Sequence, residues 1–392
     1  MKTYEQQLGE IQAWANETFL KIDKKLSAVT LRSRDKLADN VDECGNHKSV
    51  HPHSWVSGFW GGLNVLMYER TKNEEYLKTA RRSEELLDEA LFDFEKLYHD
   101  VGFMWHILSG GLYRLTGDER SKNRNLHAAS SLFSRFILGG NYIRAWNDTS
   151  SNGWPQHHVT NWTIIDCMMN LPILYWASNL IGDDRFKRIA MAHADNTIKS
   201  HIRPDGSVVH CAEHDRESGE VIETFGGQGY AVGSSWSRGQ AWAIYGFMLS
   251  YLHTGEQRYL DTARRVADYF IPNVSDCWIP QIDFRAPAEP CYYDTTAGCI
   301  AACGFIELAK ALPEAEGGVY MSAAINMLGA ISEKFGDFDP AHDAMINGGS
   351  VRYPVGNLTP AEAGVNRYIV YADYYFTEAV LKLLGSTFNP WL

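Results

Sequence analysis

The chain has 392 residues, 45% of them hydrophobic and 21% charged, a balance that supports a large core and excludes a disordered or fibrous chain. Its formal net charge of -12 repels phosphate backbones, and no basic cluster offsets it, so nucleic acid is excluded as a partner. No stretch approaches the roughly 20 apolar residues that cross a bilayer. The N-terminus, MKTYEQQLGEIQAWANETF, lacks the apolar core of a signal peptide, so no membrane association and a cytoplasmic location are expected.

In chain order, the first helix is expected near residues 5 to 25. Four turns of related pattern follow, each closing one helix and opening the next: Thr71-Lys72-Asn73-Glu74, Thr116-Gly117-Asp118-Glu119, Ile181-Gly182-Asp183-Asp184 and Thr254-Gly255-Glu256-Gln257. Glycine suits the left-handed end of a helix, and an acidic residue suits the positive start of its successor. The helices before these turns (Trp55 to Tyr68, Val101 to Leu115, Ile164 to Leu180, Trp242 to Leu252) are apolar and aromatic. Those after them, such as Tyr259-Leu260-Asp261-Thr262-Ala263-Arg264-Arg265, are amphipathic, which separates inner from outer helices.

Further helices near 297 to 311, 319 to 335 and 370 to 385 bring the total to about twelve by these signals. Twelve helices paired as six hairpins make an all-α (α/α)6 barrel. An open stack of helical repeats is the rival, but its repeats would be evenly spaced, and these turns are not. No linker divides the chain, so residues 1 to 392 read as one domain.

Two long inserts are expected to be structureless and functional. One spans 137 to 163, with Trp146, Trp154, His157, His158 and Trp162; the other spans 203 to 236. Residues 272 to 296 are expected to form strands at the rim, around Trp278-Ile279-Pro280-Gln281.

With 12 Trp and 20 Tyr, the chain has rings enough to pack on sugar faces, although large helical cores use aromatics too. Asp166 stands in Ile164-Ile165-Asp166-Cys167-Met168-Met169, where apolar neighbours would raise its pKa toward general-acid use; a buried structural hydrogen bond is the alternative. Asp100 opens an inner helix, where it could instead be an N-cap. Arg238 lies between Trp236 and Trp242, placed either to grip a carboxylate or to cover a helix end. His157, His158 and His210 invite a metal, but no third ligand arrives at motif spacing, so none is expected. The seven cysteines show no CxxC, and reduced core thiols are expected.

Several segments resemble the unsaturated glucuronyl hydrolases of glycoside hydrolase family 88: Trp55-Val56-Ser57-Gly58-Phe59-Trp60, His99-Asp100-Val101-Gly102-Phe103, Arg144-Ala145-Trp146, Ile164-Ile165-Asp166-Cys167, Ser235-Trp236-Ser237-Arg238-Gly239-Gln240-Ala241-Trp242 and Ala372-Asp373-Tyr374-Tyr375. The resemblance runs over almost the whole chain. It implies an (α/α)6 barrel without metal or organic cofactor. The implied reaction removes a 4,5-unsaturated uronic acid from the non-reducing end of lyase-made oligosaccharides, by hydrating the C4=C5 vinyl ether. It also implies that Asp166 moves the proton while Asp100 binds sugar hydroxyls and influences Asp166. Trp55, Trp146 and Trp242 would shape the pocket, and His99, His210, Gln228 and Arg238 would make polar contacts, Arg238 to the carboxylate. Members that favour sulfated chondroitin carry an Arg just before the matched Gln and a Ser-x-x-Ser-x-Lys run near the C-terminus. Here those positions read Gly227 and Arg352-Tyr353-Pro354-Val355-Gly356-Asn357, which leaves Arg352 to meet an anion on the second sugar. An unsaturated rhamnogalacturonyl hydrolase and a non-catalytic sugar-binding barrel are the alternatives. Oligomeric state is not legible.

Overall fold

A computed structural model describes residues 2–147 and 159–392; Trp154, His157 and His158 lie outside these. Among the described residues are twelve α-helices: α1 (Tyr4–Arg32), α2 (Phe59–Thr71), α3 (Glu74–Leu91), α4 (Gly111–Thr116), α5 (Glu119–Phe133), α6 (Pro172–Ile181), α7 (Arg185–Ser200), α8 (Ser237–Thr254), α9 (Gln257–Asn273), α10 (Thr295–Ala311), α11 (Glu314–Phe335) and α12 (Val370–Leu383). A π-helical stretch, Gly102–Gly110, leads into α4, and a 3-10 turn, Ile165–Met169, leads toward α6.

Six of these form an inner ring. α2 packs on the Gly102–Gly110 stretch, which packs on α6; α6 packs on α8, α8 on α10, α10 on α12, and α12 returns to α2. The return contact closes the barrel and removes the open stack from consideration. Inner helices are buried on every side, as α10 is from Thr295 to Ala309, because they are apolar all round. Outer helices bury one stripe. In α9 it is Tyr259, Leu260, Thr262, Ala263, Val266, Ala267 and Phe270, the three-and-four spacing of a single helix face. No described helix is long and apolar enough to cross a membrane.

The hairpin turns share one local device. Lys72, Gly117, Gly182 and Gly255 are all left-handed, with φ between 57° and 72°. In three of them a threonine makes two bonds: Thr71, Thr116 and Thr254 each donate 2.7 Å bonds to the carbonyls of Met67, Leu112 and Ser250. Each also accepts the N–H two residues on. Asn73 and Asp118 then cap α3 and α5. The α10–α11 turn uses Leu312 and Pro313 instead, which is why the pattern does not mark it.

Three expectations are corrected. The inserts are not structureless: β1 (Trp162–Ile164), β2 (Cys211–His214) and β3 (Val221–Phe225) form an antiparallel sheet in the order β1-β2-β3. Residues 272 to 296, whose ends belong to α9 and α10, form isolated bridges, Gln281 with Tyr293 and Asp283 with Trp236, because Pro280, Pro287 and Pro290 withdraw ladder donors. The helix over Val101 to Leu115 is π-wound through Gly110, with the Gly111 N–H reaching back to His106 O. Helix ends also shift, α1 running to Arg32 and α11 beginning at Glu314.

Candidate active site

The barrel's open end holds a cavity of about 510 Å³, a size that fits a small ligand. Trp55, His99, Asp100, Trp146, Asp166, His210, Gln228, Arg238, Trp242 and Arg352 all line it. They come from four inner-ring segments and their lead-ins, the loops at residues 146 and 228, the residue before β2 and the strap around residue 352.

Asp100 begins the π-helical stretch without capping it. The N–H of Phe103 is taken instead by Asn170 Oδ1, at 2.9 Å, and this frees the Asp100 carboxyl for the cavity. Asn170 Nδ2 lies 3.4 Å from Asp100 Oδ1 and 3.3 Å from the Asp166 carbonyl, so one side chain ties the two acids together. Burial and then the neighbouring Asp166 charge push the Asp100 pKa up to about 8. A pKa in that range favours the protonated form of Asp100 at neutral pH. His99, beside it at 3.5 Å, is held well below the usual imidazole range by burial and stays neutral.

Asp166 sits in the 3-10 turn that follows β1. Its Oδ1 is buried without a hydrogen-bond partner among the described residues, and Oδ2 lies 3.6 Å from His210 Nε2. Pairing of β1 with β2 sets the spacing of the two groups, since Ile164 faces Cys211 and the Ile165 N–H donates to His210 O. The Gln228 N–H donates to His210 Nδ1 at 2.9 Å. Accepting that N–H leaves His210 with a proton on Nε2, toward Asp166.

Position 227 explains one departure noted in the sequence. Gly227 has φ +60°, and a Cβ there would stand 2.0 Å from His210 Nδ1. No arginine fits at 227 while His210 keeps its place. Gln228 in turn donates from Nε2 to Val351 O at 2.6 Å, which leaves its Oε1 for a ligand.

Arg238 has a larger structural duty than a carboxylate grip alone requires. It is 1% exposed, and Nη1 donates to Asp294 Oδ2 at 3.0 Å and to Ser350 O, while Nη2 donates to Val351 O at 2.7 Å. Of its five N–H groups, Nε–H and one on Nη2 remain for a ligand. Trp242 is buried against Phe103, centroids 5.1 Å apart, and lines the cavity. Trp55 is half-buried and tilts onto Tyr371 at 5.0 Å, and Trp146 is half-buried. Arg352 is exposed at the mouth. For the metal reading, His157 and His158 lie outside the described residues, and both His210 nitrogens have the protein neighbours just described.

Some lining residues escaped the sequence reading. Trp236 packs on the His210 ring at 4.2 Å and under the Arg238 guanidinium at 4.5 Å, and its buried Nε1 has no partner among the described residues; its place two residues before Arg238 was the available signal. Asp39, Asn40, Arg367 and Tyr371 also line the cavity and come from opposite ends of the chain. Nothing local marks them.

Residues 31–314 match the model of Glycosyl Hydrolase Family 88. The chain is similar to the unsaturated glucuronyl hydrolase of Bacillus sp. (strain GL1), 33% identical over 372 residues, covering 93% of this chain and 96% of that one. It is also similar to the unsaturated chondroitin disaccharide hydrolase of Streptococcus pneumoniae (strain ATCC BAA-255 / R6), 29% identical, covering 92% and 90%. Among solved structures, the Bacillus sp. GL1 unsaturated glucuronyl hydrolase superposes with TM-score 0.84 at 32% identity, covering 93% and 96%. An unsaturated glucuronyl hydrolase specific for heparin superposes with TM-score 0.82 at 27% identity, with the same coverage.

Proposed function

The chain belongs to glycosyl hydrolase family 88, and from that premise we propose that it is an unsaturated glucuronyl hydrolase acting on glycosaminoglycan-type oligosaccharides. Its substrate would carry a 4,5-unsaturated uronic acid at the non-reducing end. The observation that carries this reading is the bare Oδ1 of Asp166, buried in a sugar-sized cavity beside a second, protonated carboxyl.

The chemistry is addition of water across C4=C5. Asp166 gives a proton to C4, and positive charge develops at C5, shared with the ring oxygen. Water adds at C5 and returns its proton to Asp166. The resulting hemiketal opens, and the partner sugar leaves from C1. One carboxyl serves as acid and then base, so the carboxylate spacing of ordinary glycosidases does not govern the outcome. The Nε2–H of His210 faces Asp166 Oδ2 and stabilises the carboxylate formed once its proton has gone. The proton that Asp100 retains is available to a sugar hydroxyl. Trp55 and Trp146 frame the ring, and Trp236 Nε1 is a further donor into the cavity.

Gly227 and the 352–357 strap lack the groups that would read a 6-sulfate by the device noted in the sequence. Arg352, whose side chain has no hydrogen bond or ion pair among the described residues, is the cation available to an anionic second sugar. All seven cysteines are free and four are buried, which supports a reducing compartment such as the cytoplasm.

The test is decay of the ultraviolet absorbance of the conjugated double bond when the chain meets unsaturated disaccharides from chondroitin, hyaluronan, heparin and rhamnogalacturonan. Decay on a glucuronyl member is expected, and the order of rates names the substrate. No decay from folded protein on any of them contradicts the proposal; decay on the rhamnogalacturonan member alone moves the reading to the rhamnogalacturonyl enzyme.

A further inference from the structure

Outside the cavity, His51-Pro52-His53 brings two imidazoles together. The proline between them fixes φ near –65°, and the rings stack with centroids 4.9 Å apart at 28°. Their Nδ1 atoms stand 2.9 Å from each other. On its far side His53 Nε2 lies 3.1 Å from Asp93 Oδ2, and His51 Nε2 lies 3.8 Å from Glu89 Oε1. Glu89 is in the last turn of α3, and Asp93 follows it by four residues.

The Asp93 carboxylate faces His53 Nε2 at 3.1 Å, without a well-aligned hydrogen bond among the described residues, and its charge favours the tautomer with a lone pair on Nδ1, as an outer carboxylate orients a metal-ligating histidine. With His53 so oriented, the close Nδ1 contact needs something positive between the rings. One proton supplied by His51 satisfies it, and a divalent cation can take that proton's place. Ligand atoms of His51, His53 and Glu89 all fall within 4.8 Å of one another.

We propose that His51, His53 and Glu89 form a site for one divalent transition-metal cation, separate from the catalytic cavity. Two nitrogens 2.9 Å apart, each about 2.1 Å from the ion, subtend about 90°, the angle of neighbouring positions in an octahedral or square arrangement. Ni²⁺ and Cu²⁺ fit that angle directly, and a small rotation of His51 opens it for tetrahedral Zn²⁺. His51 and Glu89 are each 65% exposed, so water fills the other positions. Asp93 is also bonded to Lys96 Nζ at 2.8 Å, which makes it the outer partner of His53 and not a ligand. A bound cation would tie the turn leading to Ser54 and Trp55, both in the cavity wall, to the end of α3.

The test is calorimetric titration of the chain, free of any histidine tag, with Ni²⁺ and with Zn²⁺. One equivalent should bind, at least about tenfold more weakly in His51→Ala and in His53→Ala, and with unchanged affinity when His157 and His158 are both replaced by alanine. Binding should weaken as pH falls, because each cation displaces a proton. His51 is exposed, so His51→Ala should keep the wild-type circular dichroism spectrum and melting temperature without metal. Full affinity in both single variants, or no binding to the folded wild-type chain, overturns the proposal.

Discussion

The backbone N–H of Gln228 sits 2.9 Å from His210 Nδ1, and the contact exists because residue 227 has no side chain. A Cβ at 227 would lie 2.0 Å from that same nitrogen, on a backbone with φ +60°. Gly227→Ala should therefore displace His210 from Asp166 and lower kcat/KM by about tenfold or more, equivalent to roughly 1.4 kcal/mol. The left-handed backbone adds about 1–2 kcal/mol of destabilisation. Steady-state kinetics alongside thermal melts check both; wild-type kcat/KM in this variant would show that His210 is not needed where it stands.

Asn170 accepts the Phe103 N–H and donates toward the Asp100 carboxyl and the main-chain carbonyl of Asp166. Asn170→Ala leaves a buried N–H without a partner, a loss of roughly 1–3 kcal/mol. Asn170→Asp keeps the acceptor but places a third carboxyl beside Asp100, and it should push activity to lower pH, where that carboxyl is neutral. Urea denaturation and a pH–rate profile separate the two effects. Unchanged stability in Asn170→Ala would contradict the capping role.

How far these features can be read without coordinates depends on how local they are. Thr116-Gly117-Asp118 announces its turn because its threonine, glycine and aspartate act on one another's backbone. Asp166 is legible because a carboxyl amid Ile164, Ile165, Cys167, Met168 and Met169 conflicts with its setting. Asn170 gives no such sign, since its partner Phe103 lies 67 positions away and its effect is to release Asp100. The same holds for Asp39 and Arg367, which meet only when α12 closes against α2. The close seating of Gly58 on Gly102–Gly110 is likewise not local: a Cβ on Gly58 would be 2.2 Å from Met104 O.

Asp100 makes a prediction about stability. Its pKa, pushed up to about 8 first by burial and then by Asp166, compares with about 3.9 in the unfolded chain. Between about pH 4 and pH 8 the unfolded chain has released a proton that the folded chain keeps, so stability falls as pH rises through this window and levels off above it. The contribution is on the order of a few kcal/mol. Asp100→Asn has no such proton and should lose less stability between about pH 5 and pH 8, while losing activity. Equal pH slopes for the two chains would contradict the raised pKa.

Arg238 and Asp294 form a buried pair, 1% and 0% exposed in their side chains. Arg238→Met leaves Asp294 without its counter-charge and should cost about 3–5 kcal/mol. Adding Asp294→Asn should recover much of that stability but not the activity, if the free Arg238 N–H groups meet the substrate carboxylate. Arg352→Met should change stability by no more than about 0.5 kcal/mol and raise KM for substrates with an anionic second sugar. Denaturation and kinetics on the four chains decide this; an Arg238→Met chain as stable as wild type would remove the structural duty assigned to Arg238.

The most direct measurement is the decay of ultraviolet absorbance of an unsaturated glucuronyl disaccharide by wild type and by Asp166→Asn at equal concentration. Asp166→Asn should keep the wild-type fold and still bind the disaccharide, while its rate of decay drops by at least about 10³-fold, roughly 4 kcal/mol of barrier. Decay at the wild-type rate would contradict the assignment of the proton transfer to Asp166.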